Sequence, residues 1–277
     1  MRAGKQVVSW GESTFIGNSI NSINPIDVSA FRRPGAEIKE GLIPVNMLFA
    51  SQGLTNQLTV EGFYQLEWDQ TVLDNCGTYF GGDVAADGCT DNYTVGSPAI
   101  RPLQPVAAAF GQGFGVTDEG VIVRRAADRD ARDSGQFGMA LRWLGDDTEY
   151  GLYFMNYHSR TPTVGTLTAN TNLATIGNII NTANGIAPGS GAGLAQSVML
   201  GRGQYYLDYP EDIRLYGASF STTLPTGTAW TGEISYRPNA PVQLNTTDLT
   251  LALVNPIAGN TVSPIRSSFG ADNTGYR

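Results

Sequence analysis

Residues Leu58 to Asp69 alternate between apolar and polar side chains over twelve positions. The apolar set is Leu58, Val60, Tyr64, Leu66 and Trp68, and the polar set is Thr59, Glu61, Gln65, Glu67 and Asp69. Because a β-strand points successive side chains to opposite faces, this segment has one apolar face and one charged face. An ordinary globular strand is about half as long, whereas a tilted membrane strand needs some 9–11 residues with this alternation. The pattern predicts a strand of an outer-membrane β-barrel.

The same period-two test predicts seven strands and a weaker eighth, Asp248–Val254. The seven are Arg2–Trp10, Leu42–Gln52, Gln57–Gln70, Gly135–Leu144, Thr148–Ser159, Ile213–Leu224 and Ala229–Arg237. Three pairs are joined by short turns with Gly, Asn, Asp or Pro, which is typical of β-hairpins. These turns are Gly53–Asn56, Gly145–Asp147 and Pro225–Thr228.

The other connections between these strands run to about 30 to 65 residues, so short and long connections alternate. Loops above about 15 residues are uncommon in compact domains, whereas bacterial barrels pair short periplasmic turns with long extracellular loops. We therefore predict an all-β fold, an antiparallel up-and-down meander forming part of an outer-membrane β-barrel, with residues 1–277 as a single domain. Within the low-charge segment Gly165–Gly203, predicted to be a mobile loop, Leu173–Ile180 fits a short helix or a plug equally well.

Alternation also assigns the two faces of the predicted sheet. We expect an exposed apolar belt of Leu58, Val60, Tyr64, Leu66, Phe137, Met139, Leu141, Leu152, Phe154 and Ile234. We expect the lumen to be lined by Glu61, Gln65, Glu67, Arg142, Glu233 and Arg237. Side chains of both signs in the lumen argue against a simple anion-selective or cation-selective porin.

All four tryptophans fall near predicted strand ends, where an amphipathic ring prefers the lipid headgroup level. With short turns on the periplasmic side, Trp10 and Trp68 lie at the outer ends of their strands, and Trp143 and Trp230 lie at the periplasmic ends. Tyr150 and Tyr236 extend these two bands of aromatic residues. A plain preference of aromatic residues for strands is the alternative explanation. The predicted interface aromatics are Trp10, Trp68, Trp143, Tyr150, Trp230 and Tyr236.

Composition and charge narrow the possible partners. The 277 residues include 34 Gly and 14 Pro, and only 15% are charged, which suits a turn-rich β protein. The net charge of −8 argues against nucleic acid, because phosphate binding needs clustered Lys and Arg. Without a run of 18 apolar residues, a transmembrane helix is not expected. The start of the chain lacks the pattern of a signal peptide, so we expect an internal part of a longer exported precursor.

Cys76 and Cys89 lie close together in a Gly-rich connection and predict a disulfide. Such a bond implies an oxidising compartment, and a ring of about fourteen residues contributes on the order of 3 kcal/mol in the chain-entropy model. A zinc site is disfavoured because the chain has no other Cys and its only His is distant. The nearby acids do not have the spacing of a calcium loop, so solvated surface acids are the better interpretation. The acids near the two cysteines are Asp74, Asp83, Asp87 and Asp91. No metal or other cofactor is predicted.

Hydrolytic chemistry is conceivable only at Asn156–Arg160, since outer-membrane phospholipases resemble it in using Ser, His and Asn on the barrel wall. Adjacent strand residues point to opposite faces, so Ser159 is poorly placed to serve His158. Asn156 and His158 share a face and suggest a hydrogen-bonded pair, and we do not expect an enzyme. The mixed-charge run Arg124–Asp133 fits either a pore or ligand cluster or a salt-bridged rim.

Nine segments together resemble a proteobacterial family, domain of unknown function 1302, over nearly the whole chain. They are Gly4–Ser13, Asn24–Ser29, Arg33–Glu37, Glu61–Gln65, Cys76–Phe80, Arg132–Gly138, Gly151–Arg160, Tyr209–Gly217 and Ser235–Asn239. The resemblance implies an exported outer-membrane barrel, often encoded near a periplasmic lipoprotein-like partner and large inner-membrane exporters, with an inferred role in moving hydrophobic compounds or lipids. Members have a signal peptide, earlier strands and a closing strand, so this chain alone is expected not to close a barrel. The resemblance supplies no catalytic residues.

The sequence therefore predicts a channel or uptake protein of the Gram-negative outer membrane for small, hydrophobic molecules or lipids. Its expected partners are outer-membrane lipid, a periplasmic lipoprotein-like protein and a small hydrophobic solute. One alternative is a structural or docking barrel whose loops bind a partner, and another is a secreted, soluble β-sandwich adhesin. A wide lumen would favour the channel, and a continuous outward apolar band would favour either barrel over the sandwich.

Overall fold

The computed structural model describes residues 1–12, 19–35, 38–96, 100–110 and 114–277. Ser13, Ala36 and Glu37, which belong to the family-like segments, lie outside the described residues. The chain divides into two compact units, and the single domain expected over residues 1–277 stays a prediction. The sheet unit comprises Met1–Leu73, Asp130–Thr161 and Tyr209–Pro241. The insert unit comprises Asp74–Arg129, Pro162–Asp208 and Val242–Arg277.

The described residues form more β-strand than helix. The strands are β1 (Arg2–Gln6), β2 (Val45–Gly53), β3 (Leu58–Gln65), β4 (Thr94–Val95), β5 (Val121–Ile122), β6 (Arg124–Arg125), β7 (Phe137–Leu144), β8 (Thr148–Tyr157), β9 (Thr163–Leu167), β10 (Gln204–Asp208), β11 (Ile213–Thr223), β12 (Ala229–Tyr236) and β13 (Asp272–Asn273). The helices are α1 (Ile38–Gly41), α2 (Gln104–Ala109), α3 (Leu173–Ile186), α4 (Gly191–Arg202) and α5 (Thr246–Ala252).

The sheet unit is built on one seven-stranded antiparallel sheet in the order β1-β2-β3-β7-β8-β11-β12. Each strand pairs with its neighbours in chain order within this unit, so the predicted antiparallel meander is confirmed. Among the described residues, no ladder joins β1 to β12, and these strands form the two edges. The sheet is thus open in the described residues, and its membership of a larger barrel stays a prediction.

Register places every second residue of neighbouring strands on a common face. Val60 lies opposite Leu141, Leu141 opposite Leu152, and Leu152 opposite Ala218. We call the face that carries these residues the outer face and the opposite one the inner face. Because the alternation is in phase across the paired strands, an apolar stripe in the sequence becomes an apolar surface on the sheet.

The inner face is covered by the chain between β1 and β2. Val8, Trp10, Ile20 and Ile23 from this connection are buried against Met47, Phe49, Phe63, Tyr153, Met155 and Leu215 of the sheet. Gly138 makes room for this layer, because a Cβ there would come within 2.5 Å of the Phe63 ring and 3.0 Å of Trp10. The middle of the inner face is therefore a packed hydrophobic core, where the sequence predicts a polar lining.

The insert unit, made of the long connections, has its own sheet in the order β13-β9-β10-β6 and a separate core. Asn172 caps α3 by accepting a hydrogen bond from the Thr175 amide at 2.9 Å, and Ile176, Ile179 and Ala183 are buried. Leu173–Ile180 thus forms the start of a fourteen-residue helix. The segment Gly165–Gly203, predicted to be a mobile loop, instead contains the two helices α3 and α4.

The predicted eighth strand, Asp248–Val254, is wrong. The Asn245 side chain accepts a hydrogen bond from the Thr247 amide at 2.9 Å and begins helix α5. Leu249 and Ala252 of this helix are fully buried. Among the described residues, no helix has both the length and the apolar character needed to span a membrane.

Candidate functional site

The outer face of the seven-stranded sheet exposes large apolar side chains side by side. Leu152 is 58% exposed, Met139 56% and Ile234 71%, and they lie on β8, β7 and β12. Leu58, Val60 and Phe154 of the expected belt lie on the same face and are half-buried by their neighbours. A contiguous apolar surface of this kind marks an interaction with lipid or with another protein.

Aromatic rings flank this apolar surface at both ends of the strands. Near the short turns, Trp143 stacks on Tyr150 with ring centroids 5.4 Å apart, and Trp230 contacts Phe220 at 5.0 Å. At the other end, the band consists of Tyr64, Phe137, Phe154, Tyr216 and Tyr236, with several rings in mutual contact. The seven residues from Phe137 to Trp143 span about 20 Å along the strand, six steps of about 3.3 Å each. The apolar band of an outer-membrane barrel is about 25 Å tall.

Two of the predicted interface tryptophans lie elsewhere. Trp10 is 1% exposed and packs against Phe63 and Tyr153 on the inner face, because β1 ends at Gln6. Its indole N–H donates to Glu61 at 2.9 Å. Trp68 lies beyond β3, is half-buried, and donates its indole N–H to the Ser159 carbonyl oxygen at 3.1 Å. Trp10 is thus a core residue, and tyrosines and phenylalanines form the band expected from Trp10 and Trp68.

At the short-turn end of the inner face, the expected polar side chains form a charge network. Arg142 lies 3.6 Å from Glu61 and 3.2 Å from Glu149, a residue that the sequence pattern did not single out. The Glu233 carboxylate accepts a hydrogen bond from the Glu12 amide at 2.7 Å. Burial, followed by the charge of Glu149, raises the pKa of Glu12. The network therefore ties the connection between β1 and β2 to β12.

At the opposite end of the inner face, Gln65 belongs to a second polar cluster. Gln65 is 1% exposed, and its amide oxygen accepts a hydrogen bond from Arg160, which is 7% exposed. Burial lowers the pKa of Arg160 to about 10, so the guanidinium still carries its charge at neutral pH. The expected lumen residue Arg237 also lies here and donates to the Ser19 carbonyl oxygen at 2.6 Å. Glu67 lies beyond β3 and is half-buried.

Arg160 and Tyr157 were not predicted as site residues. They lie at and just beyond the end of β8 and line a cleft of about 310 Å³ within the sheet unit. Period-two reasoning does not find such residues, because their surroundings come from chain segments distant in sequence.

The His158 ring is held by the backbone. Its Nε2 donates to the Ser134 carbonyl oxygen at 2.9 Å, and its Nδ1 accepts from the Asp212 amide at 3.0 Å. Ser159 donates instead to the Thr161 carbonyl oxygen at 2.6 Å. Asn156 donates to the Asp212 carboxylate at 3.0 Å. His158 and Asn156 are thus linked through Asp212, and the Ser159 hydroxyl is not oriented by His158.

The mixed-charge run Arg124–Asp133 forms ion pairs within each unit. In the insert unit, Arg125 lies 2.5 Å from Asp128 and Arg129 lies 2.6 Å from Asp272. In the sheet unit, Arg132 pairs with Glu211 and, at 2.6 Å, with Asp212. Hydrogen bonds from Arg132 and then from Asn156 hold the pKa of Asp212 below its ordinary value. These contacts match the salt-bridge interpretation of the run.

The predicted disulfide Cys76–Cys89 is present, with Cα atoms 5.6 Å apart. Asp83 lies beside the two sulfur atoms and accepts a hydrogen bond from the Gly77 amide at 3.2 Å. Because the sulfurs are bonded to each other, they are not thiolates available to a metal ion. The bond therefore closes a small ring in the insert unit.

The comparison with known families agrees with the resemblance noted in the sequence. Residues 1–276 match the model of the family described as Protein of unknown function (DUF1302). The chain belongs to the DUF1302 family. No curated protein and no solved structure matches it. For this DUF1302 member, function must therefore be argued from the apolar outer face and the polar ends of the inner face.

Proposed function

We propose that the sheet unit is a lipid-embedded wall of an outer-membrane β-barrel protein that takes up or traffics small hydrophobic molecules or lipids across the Gram-negative envelope. The observation that supports this most directly is the outer face, where exposed aliphatic side chains lie between two aromatic bands. Aliphatic residues suit the hydrocarbon region, and aromatic rings suit the headgroup level.

A secreted β-sandwich explains this surface less well. A sandwich needs one apolar face for its core and a polar face toward water. Here the inner face already packs Trp10, Phe63 and Met155 into a core, and the outer face is apolar as well. A second apolar face needs an apolar environment, and we propose that membrane lipid provides it.

Fluorescence quenching by brominated acyl chains tests the lipid contact. Trp143 and Trp230 are 48% and 56% exposed on the outer face, so vesicles of brominated lipid should quench them. The double variant Trp143→Phe/Trp230→Phe should lose most of the quenching, and the control Trp68→Phe should retain it. If quenching is absent in the unaltered protein, or unchanged in the double variant, the outer face does not contact lipid and the proposal is rejected.

The packed inner face favours a specific route over an open aqueous pore. Trp10 and Ile20 cover the middle of the sheet, so solute passage must use the polar ends or a displacement of this layer. In liposomes we expect the protein to transfer a small hydrophobic solute faster than empty vesicles do, while a hydrophilic dye stays trapped. Release of the hydrophilic dye at the same rate would contradict this route.

The same packed layer favours a second candidate, a docking barrel without transport. The candidate partner is a periplasmic lipoprotein-like protein, which the family resemblance suggests. Retained tryptophan quenching together with no transfer of any solute would select this docking function. Transfer of the hydrophobic solute above the empty-vesicle rate would reject it.

A further inference from the structure

The cleft within the sheet unit is bounded by the connection between β1 and β2, by the end of β8 and by the residues after β12. It lies at the end of the inner face opposite the short turns. Its volume of about 310 Å³ is at the lower limit for a small-molecule site. We call it the basic cleft, because two arginines and no Asp or Glu occur among its described lining residues.

Arg160 carries a buried charge that no ion pair neutralises among the described residues. Its Nη1 donates to the Asp69 carbonyl oxygen at 2.9 Å, and its Nη2 donates to the Ile23 carbonyl oxygen at 3.2 Å and to Gln65. All these acceptors are neutral. Its Nε is buried without a hydrogen-bond partner in the described part of the chain. The Asp69 carboxylate acts on Arg160 only through its charge, beyond ion-pair distance. A desolvated cation of this kind favours an anion beside it.

Arg237 brings a second positive charge to the same cleft. Its Nη2 donates to the Ser22 hydroxyl at 3.2 Å, and Ser22 also hydrogen-bonds Tyr157. The charges of Arg237 and Arg160 both act on Tyr157, and all three side chains line the cleft. Two cations of like sign around one cavity create a positive potential that an anionic ligand relieves.

Part of the remaining wall of the basic cleft is apolar, beside neutral polar residues such as Asn21, Thr71 and Thr161. The apolar part consists of Ile26, Ile213, Ala240 and Pro241. The cleft volume of about 310 Å³ is too small for a lipid with two acyl chains. We propose that the basic cleft binds a small amphipathic carboxylate, with the carboxylate toward Arg160 and Arg237 and the hydrocarbon body against the apolar wall. That this ligand is the transported solute rests on the proposed function, whereas its binding does not.

Calorimetric titration of the full chain, folded in a non-ionic detergent, tests the inference with octanoate as the probe. We expect saturable binding of octanoate, and binding of 1-octanol and of inorganic phosphate at least tenfold weaker. If 1-octanol binds as tightly as octanoate, the cleft does not recognise the carboxylate and is only an apolar cavity. Binding of phosphate as tight as octanoate would reject the amphipathic ligand. Either result overturns the proposal.

Variants locate the binding site. Arg237→Gln should weaken octanoate binding about tenfold or more, since a hydrogen bond to a charged group is lost. The control Arg214→Gln changes an exposed arginine whose position in β11 belongs to the outer face, and it should leave binding unchanged. Ala240→Trp keeps both charges but fills the cleft from an exposed position, and should abolish binding. Unchanged affinity in Arg237→Gln or in Ala240→Trp would place octanoate elsewhere and overturn the proposal.

The two proposals fail separately. Absence of octanoate binding together with retained quenching by brominated lipid rejects the cleft and leaves the membrane wall. Octanoate binding without lipid quenching supports the cleft and rejects the membrane wall.

Discussion

The two units of this chain differ in how many large apolar side chains they expose together on one surface. In the insert unit, Leu194, Val198 and Tyr205 are fully buried, and the exposed Leu173 and Ile186 lie at opposite ends of α3. This is the usual distribution for a domain in water. The sheet unit has a comparable core on its inner face, but it also exposes a continuous apolar outer face. One chain therefore contains a surface suited to water and a continuous apolar surface, which we propose faces lipid.

The inner face of the sheet unit already buries its own hydrophobic core. If the inner face of the sheet lacked a core, the outer apolar residues would be explained as the missing core of a sandwich. Because Trp10, Met155 and Leu215 already fill that role, the outer face is additional. Substitutions on the two faces and in the two units test this comparison, and the largest effect is expected in the core of the inner face.

Trp10→Ala should lower the free energy of unfolding by about 3–5 kcal/mol, because it empties a buried aromatic site and removes the bond to Glu61. The matched control is Trp230→Ala, where the side chain is 56% exposed and the expected loss is about 1 kcal/mol or less. Both are measured by denaturant unfolding in the same detergent. Similar losses in the two variants would mean that the inner face is not a packed core.

Leu152→Arg in the sheet unit and Leu173→Arg in the insert unit together compare the exposed surfaces of the two units. Leu152 on the outer face and Leu173 in α3 are 58% and 65% exposed, so their solvent exposure is similar. In lipid, Leu152→Arg should cost about 2–4 kcal/mol, since a charge enters the apolar band. Leu173→Arg should stay within about 0.5 kcal/mol, as at an ordinary surface position. Folding into vesicles measures both, and equal costs would indicate that both surfaces face water.

Leu66 and Gln65 are neighbours that the sequence pattern assigns to opposite faces of the sheet. Comparing Leu66→Arg with Gln65→Arg is nevertheless a poorer test of whether the outer face contacts lipid. Gln65 is buried and accepts a hydrogen bond from Arg160, so an arginine there would bring two buried cations together. We expect Gln65→Arg to be strongly destabilising for this reason, whatever surrounds the outer face.

The double variant Cys76→Ser/Cys89→Ser tests whether the units lose stability separately. Opening a ring of this size should cost up to about 3 kcal/mol in the chain-entropy model. We expect faster proteolysis within Asp74–Arg129 and unchanged amide-hydrogen exchange in β7 and β8, because the bond lies in the insert unit. Equal loss of protection in β7 and β8 would show that the units unfold as one.

The strands of the sheet were predictable because six of the seven are eight or more residues long and three pairs are joined by short hairpin turns. Trp10 was misplaced because an alternating pattern does not reveal where pairing stops, and here the chain leaves the sheet after Gln6 and crosses the inner face. Asp248–Val254 was misassigned because a short apolar run suits a strand or a buried helix, and the Asn245 cap selected the helix.

The candidate sites were predictable to different degrees. The apolar belt follows from parity alone, so Met139, Leu152 and Ile234 were found. Arg160 was missed because its acceptors come from Ile23, Gln65 and Asp69, which only the fold brings together.

Asp212 gives the smallest expected effect and concerns the rim of the sheet unit. Arg132 and Asn156 hold its pKa below the ordinary value, so the carboxylate stabilises the fold at pH values above the unfolded-state pKa of about 3.9. This contribution is lost as the pH falls through the lowered pKa. Because the side chain is 49% exposed, solvent screening limits it to about 1 kcal/mol or less.

Asp212→Asn should therefore lower stability slightly at pH 7 and flatten its dependence on pH between about pH 5 and pH 2. Asn suits the site, because Asp212 has φ of 58°, a left-handed conformation that Asn also adopts. Asp146→Asn in the hairpin turn removes the same charge at an exposed position and serves as the control. Denaturant unfolding at several pH values compares the two. An unaltered pH profile in Asp212→Asn, or an equal flattening in Asp146→Asn, would show that the Arg132 ion pair does not stabilise the sheet unit, and that the difference between the two units lies in their apolar surfaces alone.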